Sequence, residues 1–359
     1  MTLLYFIAGL LLLIGGAELL VRGASRIASA LGIPSLIIGL TIVAFGTSAP
    51  ELAISINGVI SGQGSIALGN VIGSNIFNIL FILGLSSVIT PLFVSSQLLK
   101  LDVPLMIALS ITVIALGWDL LLSRVDGLLL VSGLIIYLGV LIYISLKNRT
   151  DMNAVDHPDD PDLPLNWFLQ GFFVVTGLLL LILGSRWFVN SAVEIALYLG
   201  MSELVIGLTI VSVGTSMPEV VTSVIAAFKG EREIAVGNVV GSNIFNLLSV
   251  LGITALISPS GIPVSEAVIG FDLPVMTVVA VACIPIFFTG GIISRWEGAV
   301  FLGYYVAYTL FLFLNATQHD LLPVFNTAII YFAVPLTLIT LLVLFLKELK
   351  RNGKQKNPY

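Results

Sequence analysis

LIIGLTIVAFGTSAPELAISINGVISGQGSIALGNVIGSNIFNILFILGLSSVITP, residues 36–91, returns as LVIGLTIVSVGTSMPEVVTSVIAAFKGEREIAVGNVVGSNIFNLLSVLGITALISP, residues 204–259. The two stretches align without a gap, and roughly 30 of the 56 positions are identical, more than chance similarity between apolar segments reaches. Weaker echoes extend the repeat. Asp102-Val103-Pro104 is answered by Asp272-Leu273-Pro274, and Arg124-Val125-Asp126-Gly127 by Arg295-Trp296-Glu297-Gly298. The chain is therefore two copies of one unit.

The medium for that unit follows from composition. Of 359 residues, 58% are hydrophobic and 10% charged, against about 25% charged in soluble chains. Apolar runs long enough to cross a bilayer recur throughout. Eleven spans are expected, near 2–22, 36–60, 66–90, 102–118, 125–146, 165–189, 204–228, 234–257, 272–290, 297–314 and 323–346. The first has no basic segment before it and reads as a retained helix, not a cleaved signal. Residues 1–146 form the first unit and 165–315 the second. Between them lies a hydrophilic linker, KNRTDMNAVDHPDDPDLP (147–164). The span at 323–346 and a basic tail at 347–359 stand outside the repeat. The lone Cys283 excludes an internal disulfide and any paired-cysteine metal site.

Each unit has five spans, and five is odd, so the second enters the membrane upside down relative to the first. Basic residues test this independently. With the N-terminus outside, Arg22, Arg26, Lys100, Lys147, Arg149, Lys229, Arg232, Arg295 and the five basic residues of the tail fall inside, leaving only Arg124 and Arg186 outside. That is a strong positive-inside bias. The expectation is an all-α polytopic protein of the cell (inner) membrane, with two inverted-topology repeats of five transmembrane helices plus one extra C-terminal helix. Its N-terminus is outside and its C-terminus cytoplasmic. Inverted repeats with discontinuous helices at their interface are a transporter architecture.

Of the 20 acidic residues, Glu18, Glu51 and Glu219 are placed well inside spans. Glu18 has Arg22 one turn away and reads as a snorkelling pair at a membrane face. Glu51 and Glu219 have no basic residue within a turn, and each costs on the order of 3 kcal/mol at mid-bilayer. Both sit in a breaker motif, GTSAPE (46–51) and GTSMPE (214–219). Pro50 has no N–H, so a carbonyl about one turn earlier loses its partner. The carbonyls of Ala44, Phe45, Gly46 and Thr47 are then expected to face a cavity shared by the repeats. With the hydroxyls of Thr47 and Ser48 and one carboxylate, they form a cluster of hard oxygens. Ser212, Thr215, Ser216 and Glu219 repeat the set. Such ligands suit Ca²⁺ and Na⁺, and two carboxylates balance one divalent ion.

A second motif, GNVIGSNIFN (69–78) and GNVVGSNIFN (237–246), follows on the next spans. Ser74 and Asn78 share one helix face, as do Ser242 and Asn246. Gly69 with Gly73, and Gly237 with Gly241, allow close backbone approach. The glycines are read as bringing helices together and the Ser/Asn face as completing the site.

These paired GTS-x-PE and GN-x-x-GSN-x-x-N motifs resemble the two alpha repeats of the cation/calcium exchanger superfamily. Within it the chain is similar to the sodium/calcium exchangers, above all the bacterial YrbG-like branch, whose linker is short and lacks calcium-binding regulatory domains. The resemblance covers about residues 1–315. It implies ten core helices in two inverted halves, four cation sites near the midplane, and a single chain sufficient for transport without a cofactor. Carried over, Glu51 and Glu219 bind Ca²⁺ and Na⁺, joined by the Thr47 and Thr215 carbonyls. Ala44, Ser48, Ser74, Ser212, Ser216 and Ser242 bind Na⁺, and Asn78 and Asn246 fill the central position. The resemblance also implies that the first and sixth spans slide against the rest. Some relatives have Asp where Asn246 stands, and the missing carboxylate argues against potassium co-transport.

Other classes fit less well. The two histidines, His157 and His319, fall in loops, so Ser48 has no base and enzyme chemistry is not expected. A passive channel is harder to exclude, but buried carboxylates in inverted five-span repeats favour alternating access. The DHPDDPD run of the linker lacks calcium-loop spacing. The serious rival is a proton/calcium exchanger using the same two glutamates, although related proton-coupled families read GN-A-x-E at this place.

Overall fold

The computed structural model describes residues 1–148, 167–199 and 212–340, with 342, 343 and 346. Most of the expected linker, residues 204–211 of the seventh span and the tail at 347–359 lie outside the described residues. The helices are α1 (Thr2–Leu31), α2 (Ser35–Thr47), α3 (Ala49–Ile60), α4 (Gly64–Ile89), α5 (Leu98–Asp119), α6 (Arg124–Lys147), α7 (Trp167–Tyr198), α8 (Met217–Phe228), α9 (Arg232–Ile257), α10 (Val268–Phe288), α11 (Arg295–Ala316) and α12 (Leu322–Thr340). Nine of these are long and apolar enough to cross a bilayer alone. Helices α2 and α3 make one further span, bent by 41° at Ser48. Helix α8 is the described half of its counterpart. Among the described residues ten of the eleven expected spans are thus present, with the second half of the seventh, and the chain is a multi-pass membrane protein.

Two boundaries differ from expectation. Helices α1 and α7 run for 30 and 32 residues, where the hydropathy pattern stops near 22 and 189. Hydropathy ends at the first charges, but a helix ends only where its backbone does. For α1 that is Gly32, in the left-handed conformation (φ 62°), whose N–H closes the last turn on Ala28 and Ser29. The two long helices lie antiparallel with their backbones touching. A Cβ on Gly16 would stand 2.8 Å from the Gly177 carbonyl, and one on Gly184 2.8 Å from the Gly9 carbonyl. Small residues at this seam let two long helices pack without side-chain ridges.

The inversion is visible in two short ladders. Leu92–Phe93 (β1) pairs antiparallel with Ile292–Ile293 (β4), and Leu121–Leu122 (β2) with Ile262–Pro263 (β3). Each joins one repeat to the other. Helix α5 crosses the membrane between β1 and β2, so the ladders lie at opposite faces.

The weaker sequence echoes also acquire causes. Asp126 accepts hydrogen bonds from the N–H and hydroxyl of Ser123 (2.7 and 2.6 Å), and Glu297 does the same for Ser294 (2.8 and 2.6 Å). Each carboxylate caps the start of its helix. The glycines that follow, Gly127 and Gly298, are seats for a neighbouring backbone: an added Cβ would meet the Gly252 carbonyl at 2.7 Å and the Gly84 carbonyl at 2.6 Å. Pro104 and Pro274 each follow a widened π-type turn, Leu98–Asp102 and Val268–Asp272, because neither can donate to the helix ladder.

Helices α4 and α9 occupy the centre and are mostly buried. Helix α12 has no buried residue among those described and is held at the periphery by the Tyr304 hydroxyl, 3.0 Å from the Ala333 carbonyl and 2.7 Å from the Thr337 hydroxyl.

Candidate ion-binding site

The site starts with a broken ladder. Ser48 belongs to neither α2 nor α3 (φ −79°, ψ 3°). Its N–H closes on the Ala44 carbonyl at 3.0 Å, and the next main-chain bond runs from Leu52 N–H to the Ser48 carbonyl at 3.1 Å. The carbonyls of Phe45, Gly46 and Thr47 are therefore left without the donor four residues on. Pro50 lies in the first turn of α3, where a missing N–H costs nothing. The second repeat breaks alike: Thr215 and Ser216 form a turn before α8, whose ladder begins with Val220 N–H on the Ser216 carbonyl at 3.0 Å, and Pro218 lies in its first turn. Each break sets the end of one half-helix beside the start of the next, whose first turn carries a carboxylate.

One expectation is corrected. The Ala44 carbonyl is not freed: it accepts the Ser48 N–H and also lies 3.3 Å from the Thr47 hydroxyl. The ladder opens at Phe45, one residue later than the expected carbonyl set, because Ser48 still completes a turn.

The repeats then interlock. Ser216 donates to Glu51 Oε1 at 3.0 Å, and Ser48 to Glu219 Oε1 at 3.4 Å. Each carboxylate is thus held by a hydroxyl from the opposite repeat. Ser216 also reaches the Ser74 hydroxyl at 3.2 Å, and Thr47 the Ser242 hydroxyl at 3.5 Å. Glu51, Glu219, Asn78, Asn246, Ser48, Ser74, Ser216, Ser242 and Thr47 are all buried; Thr215 is partly so. Ser212 begins the short helical turn before the break, and its side chain lies outside the described residues. Hydrogen bonds thus bring together Glu51, Ser216 and Ser74, Ser48 with Glu219, and Thr47 with Ala44 and Ser242, while Asn78 and Asn246 bond to Asn243 and Asn75 of the opposite repeats.

Four buried oxygens in this cluster have no hydrogen-bond partner: Glu51 Oε2, Glu219 Oε2, Asn78 Oδ1 and Asn246 Oδ1. Native interiors pair such atoms. Carboxylate and amide oxygens are hard donors, the kind that suit Na⁺ and Ca²⁺. Among the described residues no basic side chain forms an ion pair with either glutamate. Nor do the described residues contain a group of three or more His, Cys, Asp and Glu, the pattern of a resident metal.

Several residues escaped the sequence reading. Asn70 donates to the Glu51 main-chain carbonyl (3.2 Å) and Ser55 (3.1 Å), while its Oδ1 lies 3.5 Å from the Thr215 hydroxyl. Asn238 mirrors it, donating to the Glu219 carbonyl (3.4 Å) and Ser223 (2.9 Å) and accepting from Thr47 at 3.1 Å. Each asparagine braces its own glutamate against the other repeat. Asn75 and Asn243 hold the amide nitrogens of Asn246 and Asn78. Both pairs stand in the repeated motif, and that recurrence was the available signal. Asp102 is fully buried away from the site, held by Tyr137 (3.0 Å) and Gln97 (3.3 Å).

Glu18 is a second correction. It pairs with Lys229, 211 positions away, not with Arg22, which stacks over the Phe173 ring at 5.7 Å. Helix α1 continues past Arg22, so the lower part of α1 packs on α8 instead of ending at a lipid face.

With this geometry in place, comparison with known proteins is decisive. The family described as sodium/calcium exchanger protein matches residues 1–143 and 169–314, one segment per repeat. The chain belongs to the sodium/calcium exchanger family. It is 39% identical over 259 residues to the inner membrane protein YrbG of Escherichia coli, covering 71% of this chain and 80% of that protein. It is 33% identical over 344 residues to the sodium/calcium exchanger MaX1 of Methanosarcina acetivorans, covering 86% and 98%. Its fold matches the solved sodium/calcium exchanger of Methanococcus jannaschii with a TM-score of 0.73 at 31% identity, covering 85% of this chain and 96% of that one. In this exchanger α12 lies beyond the family match.

Proposed function

We propose that this exchanger is a secondary active antiporter that trades Na⁺ for Ca²⁺ at one midplane site by alternating access, with Glu51 and Glu219 as the charged ligands. The observation that carries the reading is the set of four bare oxygens between the repeats. Ser48, Ser74, Ser216, Ser242, Asn78, Asn246 and the Thr47 and Thr215 carbonyls complete the coordination. Ser212 belongs to the same set by repeat equivalence. Na⁺ and Ca²⁺ compete for overlapping oxygens. Two carboxylates left without a cation in a low-dielectric site are costly, so the empty protein is a poor substrate for switching, and exchange prevails over leak.

Charge topology puts the N-terminus outside. The end of α1 that packs on α8 is then cytoplasmic, and α1 seals that side. The α1–α7 pair, joined along its glycine seam, is the moving element; α4 and α9 are the frame. The units are 1–146 and 165–315, joined by a cytoplasmic connector.

The test is Na⁺-gradient-driven ⁴⁵Ca²⁺ uptake in proteoliposomes. Wild type takes up calcium, and Glu51→Gln and Glu219→Gln each abolish uptake. Wild-type exchange in either variant overturns the site assignment. Strong uptake driven by a pH gradient alone replaces Na⁺ by H⁺ as the coupling ion.

A further inference from the structure

We propose that Asn75 and Asn243 are positioning residues that set which end of the Asn246 and Asn78 amides faces the cation. The inference rests on the reading of the four-oxygen cluster as a cation site. An asparagine amide has two nearly equal-sized ends. One is a cation ligand and the other, an NH₂ donor, repels a cation. A site built from two such amides needs something that selects the oxygen end of each.

The selection follows from groups that can only accept. The main-chain carbonyl of Asn243 lies 3.3 Å from one end of the Asn75 amide, and that end must be the nitrogen. The opposite end of Asn75 is then its oxygen, 3.1 Å from Asn246, and an oxygen only accepts here. Asn246 is obliged to present its nitrogen to Asn75. Its own Oδ1 is left facing the site without a partner.

The mirror relay runs through the other repeat. The Asn75 main-chain carbonyl takes the Asn243 nitrogen (3.2 Å), the Asn243 oxygen takes the Asn78 nitrogen (2.9 Å), and Asn78 Oδ1 is left bare. Each relay begins on a backbone carbonyl, which has no alternative orientation. Among the described residues the other partners of the Asn75 and Asn243 nitrogens are the thioethers of Met276 (3.7 Å) and Met106 (3.5 Å), too weak as acceptors to reverse the choice. All four asparagines are about 1–2% exposed, so solvent does not substitute. The relays cross: Asn75 of the first repeat orients Asn246 of the second, and Asn243 orients Asn78.

That crossing supplies the test, because aspartate presents oxygen whichever way it turns. Half-saturating Ca²⁺ is measured for Na⁺-driven uptake in proteoliposomes, with Asn246→Asp and Asn78→Asp alone as references. Asn75→Ala is expected to raise it tenfold or more, and adding Asn246→Asp returns it to the Asn246→Asp reference. Adding Asn78→Asp does not. For Asn243→Ala the pattern reverses: Asn78→Asp rescues and Asn246→Asp does not. Asn75→Ser carries the same test if the alanine variant does not accumulate in the membrane. Unchanged half-saturation, rescue by both aspartates alike, or rescue by neither overturns the proposal. Failure of the site reading has a different signature, retained uptake in Glu51→Gln, and that outcome overturns both.

Discussion

In the second repeat, Ser185 of α7 donates a hydrogen bond to the Gly214 carbonyl at 2.9 Å, at the broken turn beside Thr215. The equivalent residue of the first repeat, 168 positions earlier, is Ala17, which has no hydroxyl to offer the turn at Gly46. The contrast continues down the same helix pair. Glu18 pairs with Lys229 and Ser25 bonds to Glu231, tying α1 to the loop after α8. The corresponding residues at the opposite face are Arg186 with Ser61, and Val193 with Gln63, which form neither bond. Helix α1 packs along α8, whereas among the described residues α7 has no matching contact along α3. In the alternating-access reading proposed above, an inverted repeat makes the two end states mirror images in backbone. Side chains that differ between the repeats then give those states different energies. The motif residues are duplicated; the contacts that hold α1 and α7 are not.

The strongest way to probe the shared half of this comparison is at the carboxylates. Glu51→Gln and Glu219→Gln should lower Ca²⁺ uptake by equal amounts, at least a hundredfold, since losing either leaves one charge for a divalent ion. Unequal losses would show that the repeats divide the labour. Next in size is the seam. In Gly16→Val and Gly184→Val the new side chain meets opposing main chain at 2.8 Å, an overpacking worth about 1–3 kcal/mol. Both should lower the unfolding temperature and the flux to similar degrees, as the seam is common to both repeats.

The unshared half predicts smaller, one-sided effects. Ser185→Ala removes a hydrogen bond of about 1 kcal/mol, close to fivefold in an equilibrium. It should shift half-saturating Ca²⁺ oppositely at the two faces of oriented proteoliposomes. Equal shifts at both faces would mean that Ser185 acts on the site and not on the α1–α7 position. Lys229→Gln should give the smallest change, in the same sense and at most about twofold to fivefold, because half-exposed ion pairs contribute about 1 kcal/mol or less. It should fade as salt is raised.

How much of this was legible beforehand differs by residue. Glu51, Pro50, Ser74 and Asn78 were readable because each breaks a local rule of a lipid-spanning helix, and breaking it twice marks function. Asn70 and Asn75 break the same rule but have a ready structural explanation in helix packing, which concealed their bonds across the repeat. The Glu18–Arg22 pairing failed because spacing along one helix says nothing about what the other helices bring near. The packing reading of the glycine motif holds for Gly237 and Gly241, where an added Cβ would meet the Leu36 carbonyl at 2.9 Å and Leu40 Cα at 2.9 Å. At Gly69 the described residues place nothing within 4 Å, and the equivalent partner segment, 204–212, lies almost wholly outside them.

The sequence by itself determined the medium, the repeat, its inversion and the two chain breaks. Those depend on hydropathy, on an odd span count and on backbone chemistry within a few residues. Only the tertiary structure decided which oxygens are left bare, which asparagines pair across the repeats, and which end of α1 is tied to α8. Those are properties of side chains more than a hundred positions apart, and they meet only when two inverted units dock.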